Sequence, residues 1–152
     1  MTSAPTSQDS PTALRAQPAA DPSGLDRAPG GGATLLVAED DEDIRLMMKT
    51  LLELRGYHVV EARDGQETLD IAVEKRPDLI LMDLLLPRLN GLSAARSVRQ
   101  TDSLRGVPII IVSAHDPARH RSLALAAGCN AYVQKPIDFD RLDAMILNLL
   151  KQ

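Results

Sequence analysis

Pro77-Asp78-Leu79-Ile80-Leu81-Met82-Asp83-Leu84-Leu85-Leu86-Pro87 is the stretch on which the fold turns. Leu79 to Met82 is an apolar run without alternation, the pattern of a strand covered on both faces. Asp83 ends that run. Leu-Leu-Leu-Pro follows it, so it has no helix start to cap and its carboxylate is free for chemistry. Upstream, Gln66 to Arg76 is amphipathic, with Leu69, Ile71, Ala72 and Val73, and Pro77 stops it. Downstream, Asn90-Gly91 turns the chain into a helix over Leu92 to Gln100. The segment thus reads helix, buried strand, helix.

The same alternation continues outward in both directions. Leu35-Leu36-Val37-Ala38 is a second buried run, and Ile44, Met47, Met48, Leu51, Leu52 and Leu54 repeat at helical spacing from Asp41 until Gly56 closes the helix. Tyr57 to Ala62 and Pro108 to Val112 read as strands. Asp116-Pro117 is a helix start, with an acid at the cap and proline in the first turn. Gly128 ends that helix, Ala131-Tyr132-Val133 is a fifth strand, and Asp138 caps a last helix through Leu150. Five apolar strands alternating with five helices imply parallel pairing with right-handed crossovers, a doubly wound α/β sandwich.

Composition narrows the function. With 152 residues, 44% hydrophobic and 25% charged, the chain has room for one soluble domain. A net charge of −4 argues against direct nucleic-acid binding. The single Cys129 excludes an internal disulfide framework and a cysteine-based zinc site. No apolar run approaches membrane-spanning length and no secretory leader is visible, so a cytoplasmic protein without membrane insertion is expected. Residues 1–32 stand apart: they hold Pro5, Pro11, Pro18, Pro22 and Pro29 but no Val, Ile or aromatic residue, and read as a disordered tail before a domain over residues 33–152.

In an open parallel sheet, ligands bind beyond the carboxyl ends of the strands. The first strand ends in Glu39-Asp40-Asp41, the third in Asp83, the fourth in Ser113-Ala114, and the fifth runs into Lys135-Pro136. Clustered carboxylates repel unless a cation neutralises them, and an oxygen-only donor set suits Mg²⁺. A hydroxyl and an ammonium nearby would suit a phosphoryl group. Together they point to phosphoryl transfer onto a carboxylate. Asp41 also reads simply as a helix cap, Tyr132 as packing, Cys129 as a small core residue, and His58 and His120 as solvent-facing.

The runs VAEDDEDIR, PDLILMDLLLPRLNG, PIIIVSAHD and AYVQKPID resemble the response-regulator receiver domain of two-component signalling, over about Thr34 to Leu150. The resemblance implies a flavodoxin-like sheet of order 2-1-3-4-5 and a signalling phosphoprotein rather than an enzyme. It implies that Asp83 accepts the phosphoryl group from a histidine kinase or phosphotransfer protein. It further implies that Asp40, Glu39, Asp83 and the Leu85 backbone carbonyl hold Mg²⁺, that Ser113 and Lys135 bond phosphoryl oxygens, and that Tyr132 turns inward with Ser113 as a switch. The Lys135-Pro136 bond is expected to be cis.

A haloacid-dehalogenase-like phosphatase would want a second acid two residues after Asp83, where Leu85 stands. A dinucleotide-binding fold would want a glycine-rich loop after the first strand, and none is present. A phosphorylation-independent pseudo-receiver remains the alternative. Gln152 follows directly after the last helix, so a stand-alone receiver is expected, a monomer or a phosphorylation-dependent dimer. Arg119 and Arg121, near the start of the fourth helix, form a candidate surface for an effector protein.

Overall fold

Every strand of the sheet runs the same way, because each is returned to the same edge by a helix. The structure, a computed structural model, describes residues 31–151. Most of the proposed tail therefore lies outside the described residues. The elements are β1 (Thr34–Ala38), α1 (Glu42–Leu54), β2 (His58–Ala62), α2 (Gly65–Lys75), β3 (Leu79–Met82), α3 (Gly91–Gln100), β4 (Ile109–Ser113), α4 (Pro117–Ala126), β5 (Ala131–Gln134) and α5 (Phe139–Leu150). The sheet order is β2-β1-β3-β4-β5, all pairs parallel. That is the order expected from the resemblance.

Two cores sandwich the sheet. Leu36, Ile80, Met82, Ile109 and Ile111 pack on one face against Ala72 of α2, Ala94, Ala95 and Val98 of α3, and Ala124 of α4. On the other face Leu35, Val37, Leu79, Leu81, Ile110 and Val112 meet Met48 and Leu52 of α1 and Leu142 and Ile146 of α5. Central strands buried on both sides explain why their sequences are apolar without alternation.

Asp41, Asp116 and Asp138 cap helices as read from the sequence, while Asp64, unread there, and Asn90, read as part of a turn, cap two more. Asp41, Asp64, Asn90, Asp116 and Asp138 each accept a backbone N–H of their own first turn. Pro77 stops α2 as expected, with Arg76 in the left-handed region at φ 48°. Helices α2 and α3 start at Gly65 and Gly91, one residue earlier than the Gln66 and Leu92 expected from the sequence, where Asn90-Gly91 reads as a turn. Both glycines open helices at close approaches: a β-carbon on Gly91 would overlap the Asp83 carbonyl oxygen, and one on Gly65 the Leu89 carbonyl. A short 3₁₀ turn at Asp102–Leu104, unread in the sequence, carries the buried Leu104 into the core.

The apolar period of α1 identified the helix but overstated its buried face. Met48 and Leu52 are buried, whereas Met47 and Leu54 are exposed and Arg45 is buried in their stead.

Candidate functional site

The register of the sheet brings the residues at its carboxyl edge together. Ala38 pairs with Met82 across β1 and β3, so the residues following each, Glu39-Asp40 and Asp83, leave the sheet side by side. Asp83 N–H still donates to the Ala38 carbonyl at 3.0 Å, extending the ladder one step. Met82 pairs with Ile111 and Ser113 with Gln134, which places the end of β4 beside Asp83 and Lys135 just past β5. Residues separated by half the chain thus converge because parallel strands end together.

Glu39, Asp40 and Asp83 each offer a carboxylate oxygen, and these atoms all lie within 4.8 Å of one another. Lys135 Nζ reaches into the group, 2.8 Å from Glu39 Oε1 and 3.3 Å from Asp83 Oδ2. Glu39 is buried at 3% exposure while Asp40 is open to solvent. Burial pushes the Glu39 carboxyl up; the Lys135 and Asp41 N–H hydrogen bonds offset part of this, and the Asp83 charge adds to it. For Lys135, burial would lower its affinity for the proton. The hydrogen bond to Glu39 and the charges of Asp83 and Glu39 outweigh it, and the ammonium is held above its ordinary range.

Three carboxylates facing one ammonium leave about two negative charges uncompensated when all are ionised. Their donors are hard oxygens, and one of them faces solvent. A hard divalent cation that keeps water ligands fits that set, whereas the site has no sulfur or imidazole for a softer metal.

Ser113 is fully buried, and its Oγ accepts the His115 N–H at 3.2 Å. The Leu85 side chain is exposed, and its N–H donates to Asp83 Oδ1 at 3.2 Å. Tyr132 is already buried, its hydroxyl donating to the His115 carbonyl at 2.9 Å. The peptide bond between Lys135 and Pro136 is cis, as the resemblance implied. Arg119 and Arg121 are exposed on α4, away from the acidic cluster's hydrogen bonds. Asp41 caps α1 through bonds to the Asp43 and Ile44 N–H groups. His120 departs from expectation: it is half-buried, its ring edge-on to His115 with centroids 5.1 Å apart. His58 is exposed and Cys129 is buried in the core, as read from the sequence.

Sequence reasoning missed Arg45. It lies on α1 with its guanidinium against the backbone of Glu39, at 2.9 Å from the carbonyl oxygen. A basic residue within an amphipathic helix ordinarily belongs to its wet face, so periodicity carries no sign of this inward turn.

Residues 35–147 match the family model described as the response regulator receiver domain. Among curated relatives, the polar-differentiation response regulator DivK of Brucella anthropi is 37% identical over 117 residues, covering 77% of this chain and 95% of DivK. Response regulator MprA of Mycolicibacterium vanbaalenii is 36% identical over 118 residues, covering 78% of this chain but only 50% of MprA. Among solved structures, the receiver domain of a sensor histidine kinase from Pseudomonas aeruginosa, described with a magnesium ion in its active-site cleft, superposes with a TM-score of 0.75. It is 33% identical, and the match covers 80% of this chain and 99% of that one.

Proposed function

This chain belongs to the response regulator receiver domain family, and on that premise we propose that Asp83 is its phosphorylation site, with Mg²⁺ as cofactor. The observation that carries the reading is the convergence of Glu39, Asp40 and Asp83 on one point, with Lys135 bonded to two of them. When bound, the ion supplies positive charge opposite the oxygens of the incoming phosphoryl group.

The chain's own residues then divide the work. An Asp83 carboxylate oxygen attacks phosphorus. The P–O bond forms as the P–N bond to the donor's phosphohistidine breaks, and the electron pair leaves with the imidazole. Lys135 already touches Asp83 Oδ2, so a small movement of its ammonium brings it to a phosphoryl oxygen. Ser113 has a hydroxyl hydrogen to offer another, and in doing so would loosen its bond from the His115 N–H. His115 also holds the Tyr132 hydroxyl through its carbonyl. Movement of Ser113 is therefore transmitted to Tyr132 and to the segment entering α4.

The donor is a histidine kinase or phosphotransfer protein. Its histidine must reach Asp83 from solvent, so its surface must cover the rim. Beside Lys135 that rim carries an apolar groove lined by Ile44, Met47, Leu51, Pro136, Ile137 and Phe139, which such a partner would bury. An effector would read the altered α4, where Arg119 and Arg121 stand exposed. Beryllofluoride, a phosphoryl mimic on carboxylates, tests the reading by calorimetry. Saturable binding that requires Mg²⁺ and is lost in Asp83→Asn is expected. Absence of binding by the wild type would instead indicate a phosphorylation-independent interaction module.

A further inference from the structure

A buried arginine on α1 has no part in the chemistry just described, yet it grips the acidic turn. Arg45 is 8% exposed. Its Nη1 donates to the Glu39 carbonyl at 2.9 Å and its Nε to Glu61 Oε1 on β2 at 3.1 Å. Its own backbone N–H bonds the Asp41 carbonyl at 2.9 Å. Glu61 also lies 3.9 Å from Lys49, and Arg63 and Glu67 line the same small cleft.

Glu39, Asp40 and Asp41 are three consecutive acids, and their repulsion favours splaying the turn. Two other bonds resist this: Glu39 N–H to the Ala62 carbonyl at 3.0 Å, and Asp41 N–H to Glu39 Oε2 at 3.1 Å. Neither holds the Glu39 carbonyl, which is the peptide unit leading directly into Asp40. Only a planar fork can bond that carbonyl and the β2 carboxylate at once in fixed directions. Glu61 at the same time balances the guanidinium charge, limiting its repulsion of a cation next door.

We propose that Arg45 is a positioning residue that raises the site's affinity for Mg²⁺ by fastening the Glu39–Asp41 turn to β2. The proposal rests on the reading that Glu39 and Asp40 hold the ion. Its sign is diagnostic. If Arg45 mattered only as a nearby charge, removing it would tighten cation binding; if it fastens the turn, removing it weakens binding.

The test is Mg²⁺ titration of the full chain by calorimetry, without any phosphodonor. Groups that orient metal ligands typically contribute about 10–100-fold in affinity, and Arg45→Gln is expected to weaken binding by about tenfold. Arg45→Lys keeps the charge and the pairing with Glu61 but not the fork; it folds and loses several-fold. Arg55→Gln, at the other end of α1, breaks the ion pairs with Asp140 and Asp143, lowers thermal stability and leaves Mg²⁺ affinity unchanged. Arg45 variants that bind Mg²⁺ as tightly as the wild type, or more tightly, overturn the role of Arg45 while the reading of the site stands. A wild type that binds no Mg²⁺ overturns that reading and the inference with it.

Discussion

Lys135 holds the acidic cluster together by pairing with two of its carboxylates, those of Glu39 and Asp83. Its ammonium is the only cation bonded to the Glu39 carboxylate among the described residues, and Glu39 has almost no access to water. Lys135→Met leaves a buried carboxylate facing two others. Breaking a buried pair costs about 3–5 kcal/mol, and the partial exposure of Lys135 puts the expected loss nearer 2 kcal/mol. Urea unfolding at neutral pH measures it, and millimolar Mg²⁺ should restore more stability to the variant than to the wild type. Cys129 gives a pH signature of the core. Burial pushes its thiol up to about 11, with Arg99 and Arg96 only partly opposing. Between about pH 9 and 11 the unfolded thiol has lost its proton and the folded one has not. Stability therefore falls as pH rises, by up to about 1.4 kcal/mol per unit from this group. Burial and Asp143 raise the Tyr57 phenol as well, adding to the decline above pH 10. Cys129→Ala should start less stable and lose less across this window, as chemical denaturation at each pH would show.

Among the elements, α4 carries the clearest expectation about output. Asp116 caps it and Pro117 opens it, while Arg119 and Arg121 place cations near the positive end of its dipole. Ala124 is the one buried residue of α4, whereas α1 buries Met48 and Leu52 and α5 buries Leu142 and Ile146, so α4 is less firmly seated than the helices on the opposite face. Replacing Arg119 and Arg121 together with Ala should leave phosphorylation unchanged. It should weaken binding of an acidic effector and flatten the salt dependence of what remains; unchanged affinity at low salt would make α4 only a scaffold. Elements were legible in the sequence where they obey local rules. The apolar runs of β1, β3 and β4 and the capping acids of α1, α4 and α5 all lay in short windows. What local rules miss are side chains that work at a distance. Arg99 on α3 bonds the Gly128, Arg105 and Val107 carbonyls and Asn130, tying two loops that no periodicity connects. Tyr57 and Asp143 meet from opposite ends of the domain's sequence at 2.5 Å. The exposed Met47 and Leu54 show the converse: helical period reports a possible face, and packing decides which part of it is buried.

For the whole molecule, the parallel topology makes the site. Once β1, β3, β4 and β5 run the same way, Glu39, Asp40, Asp83, Ser113 and Lys135 have no other edge to occupy. That is why the candidate residues could be named from strand ends alone. Their distances could not, because the approach of Lys135 to Glu39 and Asp83, and the grip of Arg45 on the turn, depend on side-chain paths across 96 and 6 positions of chain. No helix among the described residues is long and apolar enough to cross a membrane. Intact-mass measurement after incubation with acetyl phosphate tests whether Asp83 at this edge accepts a phosphoryl group. The wild type with Mg²⁺ should gain a single acid-labile phosphoryl group, and should gain none when the metal is chelated or when Asp83 is changed to Asn. Labelling of Asp83→Asn equal to that of the wild type, or labelling indifferent to Mg²⁺, would contradict Mg²⁺-dependent phosphorylation of Asp83.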